Sequence, residues 1–360
     1  MIVKEGKAEV FVEDRVFYNP RMKFCRNVDM LVFSRISERD DVIYLDALAA
    51  TGIRGIRAVL EAGYTVFFND KNGKAVELIK KNLQHNGIEA EVFNRDASAL
   101  MRERHFKHVD IDPFGSPSEF VDAACLSATR YLSVTATDTA ALCGSASTSG
   151  LRKYSAYAER TEYYPEIGLR MLAGKIAREA TKYDKGIEVL VSWAKEHYYR
   201  IHVRFRRSPS YAGKMYSKIG YLFHCWKCGR REWIPMNTGE CISKCQCGAN
   251  YTMMGPMWLG ELHNKDFVAG IIEKAGDKHS KELDLLKRIN DELEIPFHYD
   301  LHHVSRAINA SPPSMNTLIE EMRNLGYSIS RTRYSGTSFK TDADIEEIKE
   351  IIKRISPSGT

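Results

Sequence analysis

Through the first two hundred residues, short apolar runs alternate with longer amphipathic stretches. Val42–Leu45, Thr65–Phe68, Ala90–Phe93 and Val109–Ile111 have the length and the β-branched or aromatic content of buried strands. Between and beyond them the spacing predicts helices over Ile56–Ala62, Ala75–Gln84 and Ser118–Ala128, then a strand at Tyr131–Ala136. A helix from Pro165 to Thr181 precedes two further strands, Ile187–Val191 and Tyr198–Phe205. Strand and helix in this alternation predict an α/β fold with a parallel sheet and crossover helices. Upstream, Ala8–Val12 and Val16–Tyr18 alternate around a turn at Asp14 and predict a hairpin closed by Asn19-Pro20. A helix is expected from Asp29, where Arg26 reads on spacing alone as a solvated charge.

The four successive strands each lead to a carboxylate: Asp46, Asp70, Asp96 and Asp112. Carboxyl ends of strands are where open α/β sheets hold their ligands. After Asp46, the run Ala50-Thr51-Gly52-Ile53-Arg54-Gly55 is a Gly-x-Gly-x-x-Gly fingerprint with alanine in its first position, opening a helix. Asp70, 24 residues beyond Asp46, stands where ribose hydroxyls are gripped; without the loop upstream it would read as a helix cap. Asp96 suits an adenine amine. Ile53 and Arg54 crowd the place of a pyrophosphate, so the rim fits S-adenosylmethionine better than a hydride cofactor.

Asp112-Pro113-Phe114-Gly115 breaks a buried strand into a tight loop. Its carboxylate and proline carbonyl can accept hydrogen bonds from a planar exocyclic amine while Phe114 stacks on the ring. Asp112, Pro113 and Phe114 are therefore the candidate catalytic residues.

Beyond Ser208-Pro209 the pattern changes, and at 360 residues a second domain is expected, dividing the chain into 1–207 and 208–360. Of eight cysteines, five lie between Cys225 and Cys247, a clustering that favours a structural zinc site over disulfides. Cys225 and Cys228 supply two thiolates. The second pair comes from Cys241, Cys245 and Cys247, with Cys245 and Cys247 preferred because Gly248 follows them as Gly229 follows Cys228. Helices are expected over Asp266–Lys274 and His279–Glu292, and then a helix, a turn at Ser311–Ser314 and a second helix, Met315–Leu325. A β wing from Tyr327 to Lys340 completes a winged-helix-like part that offers Arg331, Arg333 and Lys340 to phosphates. A last helix spans Asp342–Ile355.

The charge is mildly positive, +5 with a pI near 8.6, which permits a polyanionic partner. From Arg200 to Lys218 six basic residues stand without an acidic one, interleaved with Phe205, Tyr211 and Tyr216. Arg200, Arg204, Arg206, Arg207 and Lys214 thus read as a nucleic-acid track, or alternatively as the protective charge of an edge strand. No apolar run is long enough to span a membrane, and the first residues lack a signal peptide's core, so a cytoplasmic location is expected.

Five stretches carry a resemblance. Glu5–Ala8, Val16–Pro20, Leu45–Arg57, Asp110–Pro117 and Ala136–Gly144 resemble the tRNA (guanine-N2)-dimethyltransferases of archaeal length, and the likeness continues through Tyr334–Asp342. The resemblance implies a class I S-adenosylmethionine-dependent methyltransferase fold with a smaller α+β tRNA-binding domain. It implies one and then two methyl transfers to N2 of the guanine at tRNA position 26. It also implies cofactor contacts from Arg26, Arg54, Asp70, Asp96 and Ala97, with Asp112 as catalytic carboxylate. The sequence does not determine the oligomeric state, and a monomer is favoured. In the family an Asn-Arg-Asp tripeptide surrounds the first arginine, where this chain has Cys25-Arg26-Asn27. The competing readings are methylation of another RNA guanine, methylation of a protein glutamine amide, and non-catalytic RNA binding.

Overall fold

The computed structural model describes residues 1–276 and 280–356. A seven-stranded sheet occupies its centre: β1 Ile43–Asp46, β2 Thr65–Asn69, β3 Val92–Phe93, β4 Phe106–Ile111, β5 Ala128–Ala136, β6 Lys185–Lys195 and β7 Tyr198–Arg207. Their order is β3-β2-β1-β4-β5-β7-β6. The first five strands run parallel, and β7 is antiparallel to both of its neighbours. Crossover helices α2 Ile53–Ala62, α3 Gly73–His85, α4 Ala97–Glu103 and α5 Val121–Ser127 connect them, so helices cover a sheet buried on both faces. The chain leaves β1 toward β2, then returns from β3 past β1 to β4. The reversal opens a crevice at the carboxyl ends of β1 and β4, the place where this architecture binds ligands.

Two expectations change near the start. The hairpin pairs Ile2–Glu5 with Ala8–Phe11, reversing at Gly6, which adopts φ 55° and lies against Glu61. Left-handed backbone at Gly6 makes this turn tighter than any available at Asp14, and Val16–Tyr18 instead forms a loop along the crevice. Helix α1 spans Lys23–Ser37, starting well before Asp29 because a short turn at Pro20–Met22, capped by Asn19, feeds directly into it.

Residues beyond 208 complete both principal cores. The antiparallel sheet Arg231–Pro235, Ile219–His224, Thr252–Trp258 packs Met254, Met257 and Trp258 into one cluster with Leu132, Ile167 and Leu169. Gly174 makes that approach possible, since a Cβ there would stand 3.0 Å from Met257 Cα. Helices Lys265–Ala275 and Lys281–Asp291 pack Phe267, Ile271, Leu286 and Ile289 into the cluster that contains Phe33 and Ile36 of α1. The expected helix start at His279 lies outside the described residues; Ser280 caps the helix. The last part has its own core, formed by helices Leu301–Ala307, Met315–Asn324 and Ile345–Ile355 on a small sheet of Tyr299–Asp300, Ser338–Thr341 and Ile329–Arg331.

Candidate active site

A cavity of about 370 Å³ opens at the carboxyl ends of β1 and β4. Asp46, the Leu48–Thr51 loop and Arg54 form one side, and Asp112–Gly115 and Thr137 another. The Phe17–Arg26 segment and the β6–β7 turn close it. The Asp112 loop is fixed at its far end: Gly115, at φ 93°, donates its N–H to Thr137 Oγ1 at 2.8 Å, and Thr137 returns its N–H to Gly115 O at 2.9 Å. Pro113 is buried. Phe114, by contrast, is 86% exposed, and its ring meets Phe17 edge-on at 5.3 Å. Two aromatic rings that meet edge to face and remain largely exposed at a cavity mouth suit a flat ring entering from solvent.

Beneath the cavity lies a buried charge network. Arg54 pairs with Asp112, reaches Asp110 at 3.3 Å and lies 3.5 Å from Asp29. Arg200 clasps Asp110 through two hydrogen bonds of 2.8 and 2.6 Å and bonds Asp29 at 3.0 Å. Burial disfavours charge on Asp29 and Asp110, yet the two guanidinium groups overcome it and hold both carboxyls below their ordinary range. Asp46 differs. It accepts one N–H, from Gly55 at 3.1 Å, and burial together with nearby Asp110 pushes its carboxyl up to about 7.

Arg200 was expected on an exposed phosphate track, and its side chain is fully buried in this network. The alternation of β7 places Arg200 and His202 on the face that α1 covers, where Asp29 neutralises Arg200 and lies 3.1 Å from His202 Nε2, whose charged form burial and Arg200 disfavour. Nor is β7 an edge strand. Arg204 is half-buried and paired with Glu188 at 2.5 Å, whereas Arg206, Arg207 and Lys214 are exposed. In the last part of the chain Arg331 is exposed, but Arg333 and Lys340 are buried on Glu292 at 2.9 and 2.8 Å and cannot meet phosphates.

The other rim residues separate into two groups. Arg26 lines the cavity while its Nε and Nη2 donate to Glu5 at 2.8 and 2.6 Å. Gly52, at φ 77°, takes the left-handed backbone that starts α2. Asp70 stands behind the loop, accepting from Ala50 N and Asn72 N, both at 2.9 Å. Asp96 caps α4 through Ala99 N, and the next residue, Ala97, is buried. Asp70, Asp96 and Ala97 therefore border the strand ends without lining this cavity. Sequence reasoning missed Asp29, Asp110 and Phe17. Asp110 had a signal, since it shares one strand face with His108 and Asp112.

Farther along, Cys225, Cys228, Cys245 and Cys247 bring their Sγ atoms within 4.8 Å of one another, while Cys241 is exposed and apart. Gly229 and Gly248, at φ 80° and 83°, donate back to Cys225 O and Cys245 O at 2.8 Å, closing one turn over each cysteine pair.

A sheet of this order, with one antiparallel strand inserted next to last and a carboxylate-lined cavity at its switch point, defines the Rossmann-like fold of class I S-adenosylmethionine-dependent methyltransferases. Comparison with known proteins narrows the class. The family described as N2,N2-dimethylguanosine tRNA methyltransferase matches residues 1–353, and the chain belongs to that family. A tRNA (guanine(26)-N(2))-dimethyltransferase of Archaeoglobus fulgidus is 50% identical over 353 residues, covering 98% of this chain and 99% of the relative. One of the same name from Methanospirillum hungatei is 44% identical, covering 94% and 91%. The solved complex of Trm1 from Pyrococcus horikoshii with S-adenosyl-L-methionine superposes with a TM-score of 0.89 at 36% identity, covering 98% of this chain and 99% of that one.

Proposed function

We propose that this protein transfers one and then two methyl groups from S-adenosylmethionine to N2 of the guanine at tRNA position 26. The observation that carries the reading is Asp112 held by Arg54 in a cavity whose mouth is flanked by the exposed rings of Phe17 and Phe114.

The lining fits the cofactor. A sulfonium and an ammonium are cations, and Asp46 and Asp112 place carboxylates on the cavity wall. Leu48 and Ile53 offer the apolar surface an adenosine needs, and Asp70 at the edge suits its ribose. When bound, S-adenosylmethionine supplies an electrophilic methyl group. The protein's part is to align and deprotonate the amine. The guanine must leave the tRNA stack to reach the strand ends, where Phe17 and Phe114 receive its ring. Asp112 Oδ1 and the Pro113 carbonyl accept the two amine N–H groups. Alignment supplies much of the acceleration for a nucleophile with a delocalised lone pair. Asp112 accepts the proton as or after the N–C bond forms. For the second transfer the methylated amine rotates and presents its remaining N–H.

Zinc in the four-cysteine cluster belongs to the same reading. A tetrahedron of thiolates about 2.3 Å from zinc sets the sulfurs about 3.8 Å apart, close to the 3.5 Å of the Cys225–Cys247 and Cys228–Cys245 pairs. Four protein ligands leave no open position, so the metal is structural. Residues 1–207 carry the transfer chemistry and 208–360 the zinc and a winged-helix-like tRNA-binding part. Arg204, Arg206, Arg207, Lys214 and Arg331 remain as phosphate contacts, and the cytoplasm is the protein's place. No helix among the described residues is long and apolar enough to cross a membrane. The test is incubation with unmodified tRNA and methyl-labelled cofactor, followed by nucleoside analysis. Label in N2-methylated guanosine of position 26 is expected, and label in protein or in another base would overturn the reading.

A further inference from the structure

Beside the active-site cavity lies a wider one of about 590 Å³. The β6–β7 turn is a wall common to both, since Glu196 and Tyr198 line each. The remaining walls come from distant parts of the chain: Phe24 at the start of α1, Arg160 and Tyr164 before and at the start of helix Tyr164–Thr181, and Lys281 and Arg288 on helix Lys281–Asp291.

Arg160, Lys195, Lys281 and Arg288 form no ion pair among the described residues, and these four cations face two carboxylates, Glu196 and Asp284. Arg333 also borders the cavity, but Glu292 neutralises it. Two of the cations lie on aromatic faces. Lys195 Nζ stands 3.3 Å from the centre of Phe24, and Arg160 Cζ 4.7 Å from that of Tyr164. A ring face orients a cation without consuming its hydrogen-bond donors, so both groups still have N–H bonds for an anion. Cations without an ion-pair partner among the described residues, set against half-buried aromatic rings, are the composition of a surface that follows a single nucleic-acid strand. The cations rise from three separate segments, a spread that suits successive phosphates better than one isolated anion.

We propose that this groove receives the phosphodiester backbone of the tRNA strand immediately next to the target nucleotide. The inference rests on the reading that the neighbouring cavity methylates tRNA. A strand whose base has turned into the first cavity must continue past the β6–β7 turn. There the exposed carboxylate of Glu196 repels phosphates, and the cations of the second cavity attract them. The turn thereby sorts base from backbone.

The test uses the full chain carrying Arg160→Gln and Arg288→Gln together. Both side chains are exposed, so a thermal melt should match that of the unaltered protein. With unmodified tRNA transcript and labelled cofactor, KM for tRNA should rise about tenfold or more, with kcat at saturating tRNA within about threefold and KM for the cofactor unchanged. The slope of log affinity against log salt should become shallower by about 1.4 to 1.8, at roughly 0.7 to 0.9 per phosphate lost. 4-Thiouridine placed beside the target should cross-link within residues 160–164, 195–199 or 281–288. An unchanged KM for tRNA with an unchanged salt slope would overturn the proposal, as would flanking cross-links that fall wholly elsewhere. Failure of the unaltered protein to methylate tRNA at all would instead bring down the functional reading on which it rests.

Discussion

Arg54 donates through Nη2 to Oδ2 of Asp112, while Nη1 of the same guanidinium reaches both oxygens of Asp110, at 3.3 and 3.4 Å. One carboxylate belongs to the Asp112–Gly115 loop and the other to the buried floor. The loop is thus anchored by one oxygen of Asp112, and Oδ1 has no partner among the described residues.

This anchoring sharpens what Asp112 substitutions should do. Asp112→Ala should leave cofactor and tRNA affinities within a few-fold and lower kcat by about 100-fold or more, the scale of a positioned acid–base group. Asp112→Asn keeps an accepting oxygen but cannot take up a proton. A slow Ala variant beside a fast Asn variant would leave orientation as the residue's contribution and remove proton acceptance. Near-native kcat in Asp112→Ala would refute both.

Arg200 should behave as a structural residue. Arg200→Met leaves Asp29 and Asp110 buried with Arg54 as their remaining arginine partner, and removing one side of a buried ion pair costs about 3 to 5 kcal/mol. Urea unfolding should register that loss, and the salt dependence of tRNA binding should not move. A shallower salt slope with unchanged stability would return Arg200 to the phosphate track.

These residues also mark where sequence reading stops. The parallel sheet was legible because its strands are short, apolar and separated by amphipathic helices of ordinary length. The Asp112 loop was legible because proline and glycine fix its place in the chain. Which face of β7 meets solvent was not legible. Alternation gives two faces, but the cover over one of them is α1, whose Asp29 lies 171 positions from Arg200. Arg333 and Lys340 misled in the same way, their partner Glu292 being contributed by a different element. The cysteine ambiguity had another origin: ligand spacing admits Cys241, whereas the two left-handed glycine turns bring Cys245 and Cys247 to the first pair.

Asp46 predicts a pH dependence of definite sign. Its carboxyl, at about 7 in the folded protein, lies above its ordinary value near 3.8 because burial and then Asp110 disfavour the charge. Between those values the folded state retains a proton that the unfolded chain has lost. Its contribution to stability is therefore complete below about pH 4 and declines as pH rises toward 7, by up to about 1.4 kcal/mol per pH unit. Cofactor-free Asp46→Asn should lack that decline and exceed the unaltered protein in stability above pH 7. Urea unfolding at pH 5, 6, 7 and 8 measures it, and parallel profiles for the two proteins would dispose of the assignment.

Zinc removal should be felt at the end of the chain. Lys349 of the last helix donates to Cys228 O at 2.7 Å, and Ile345 lies against Gly229. Chelation should release zinc from freshly purified protein and raise hydrogen exchange over residues 219–258 and 345–355 together, because the cysteine turns fold around their metal. Protein that contains no zinc as purified, with its clustered thiols all freely titratable, would exclude the site.

The cores described above join residues on either side of position 207, with consequences for synthesis. A nascent chain ending there has every strand of the catalytic sheet. It lacks Met254, Met257 and Trp258 over one cluster and Phe267, Ile271, Leu286 and Ile289 over the other. Long-range contacts of this kind delay folding until their distant partners exist. The helices Lys265–Ala275 and Lys281–Asp291, which buttress α1 and with it Asp29, leave the ribosome late. A chain that ends near residue 207 therefore carries Asp29, Arg54, Asp110 and Arg200 without the later helices that pack against α1.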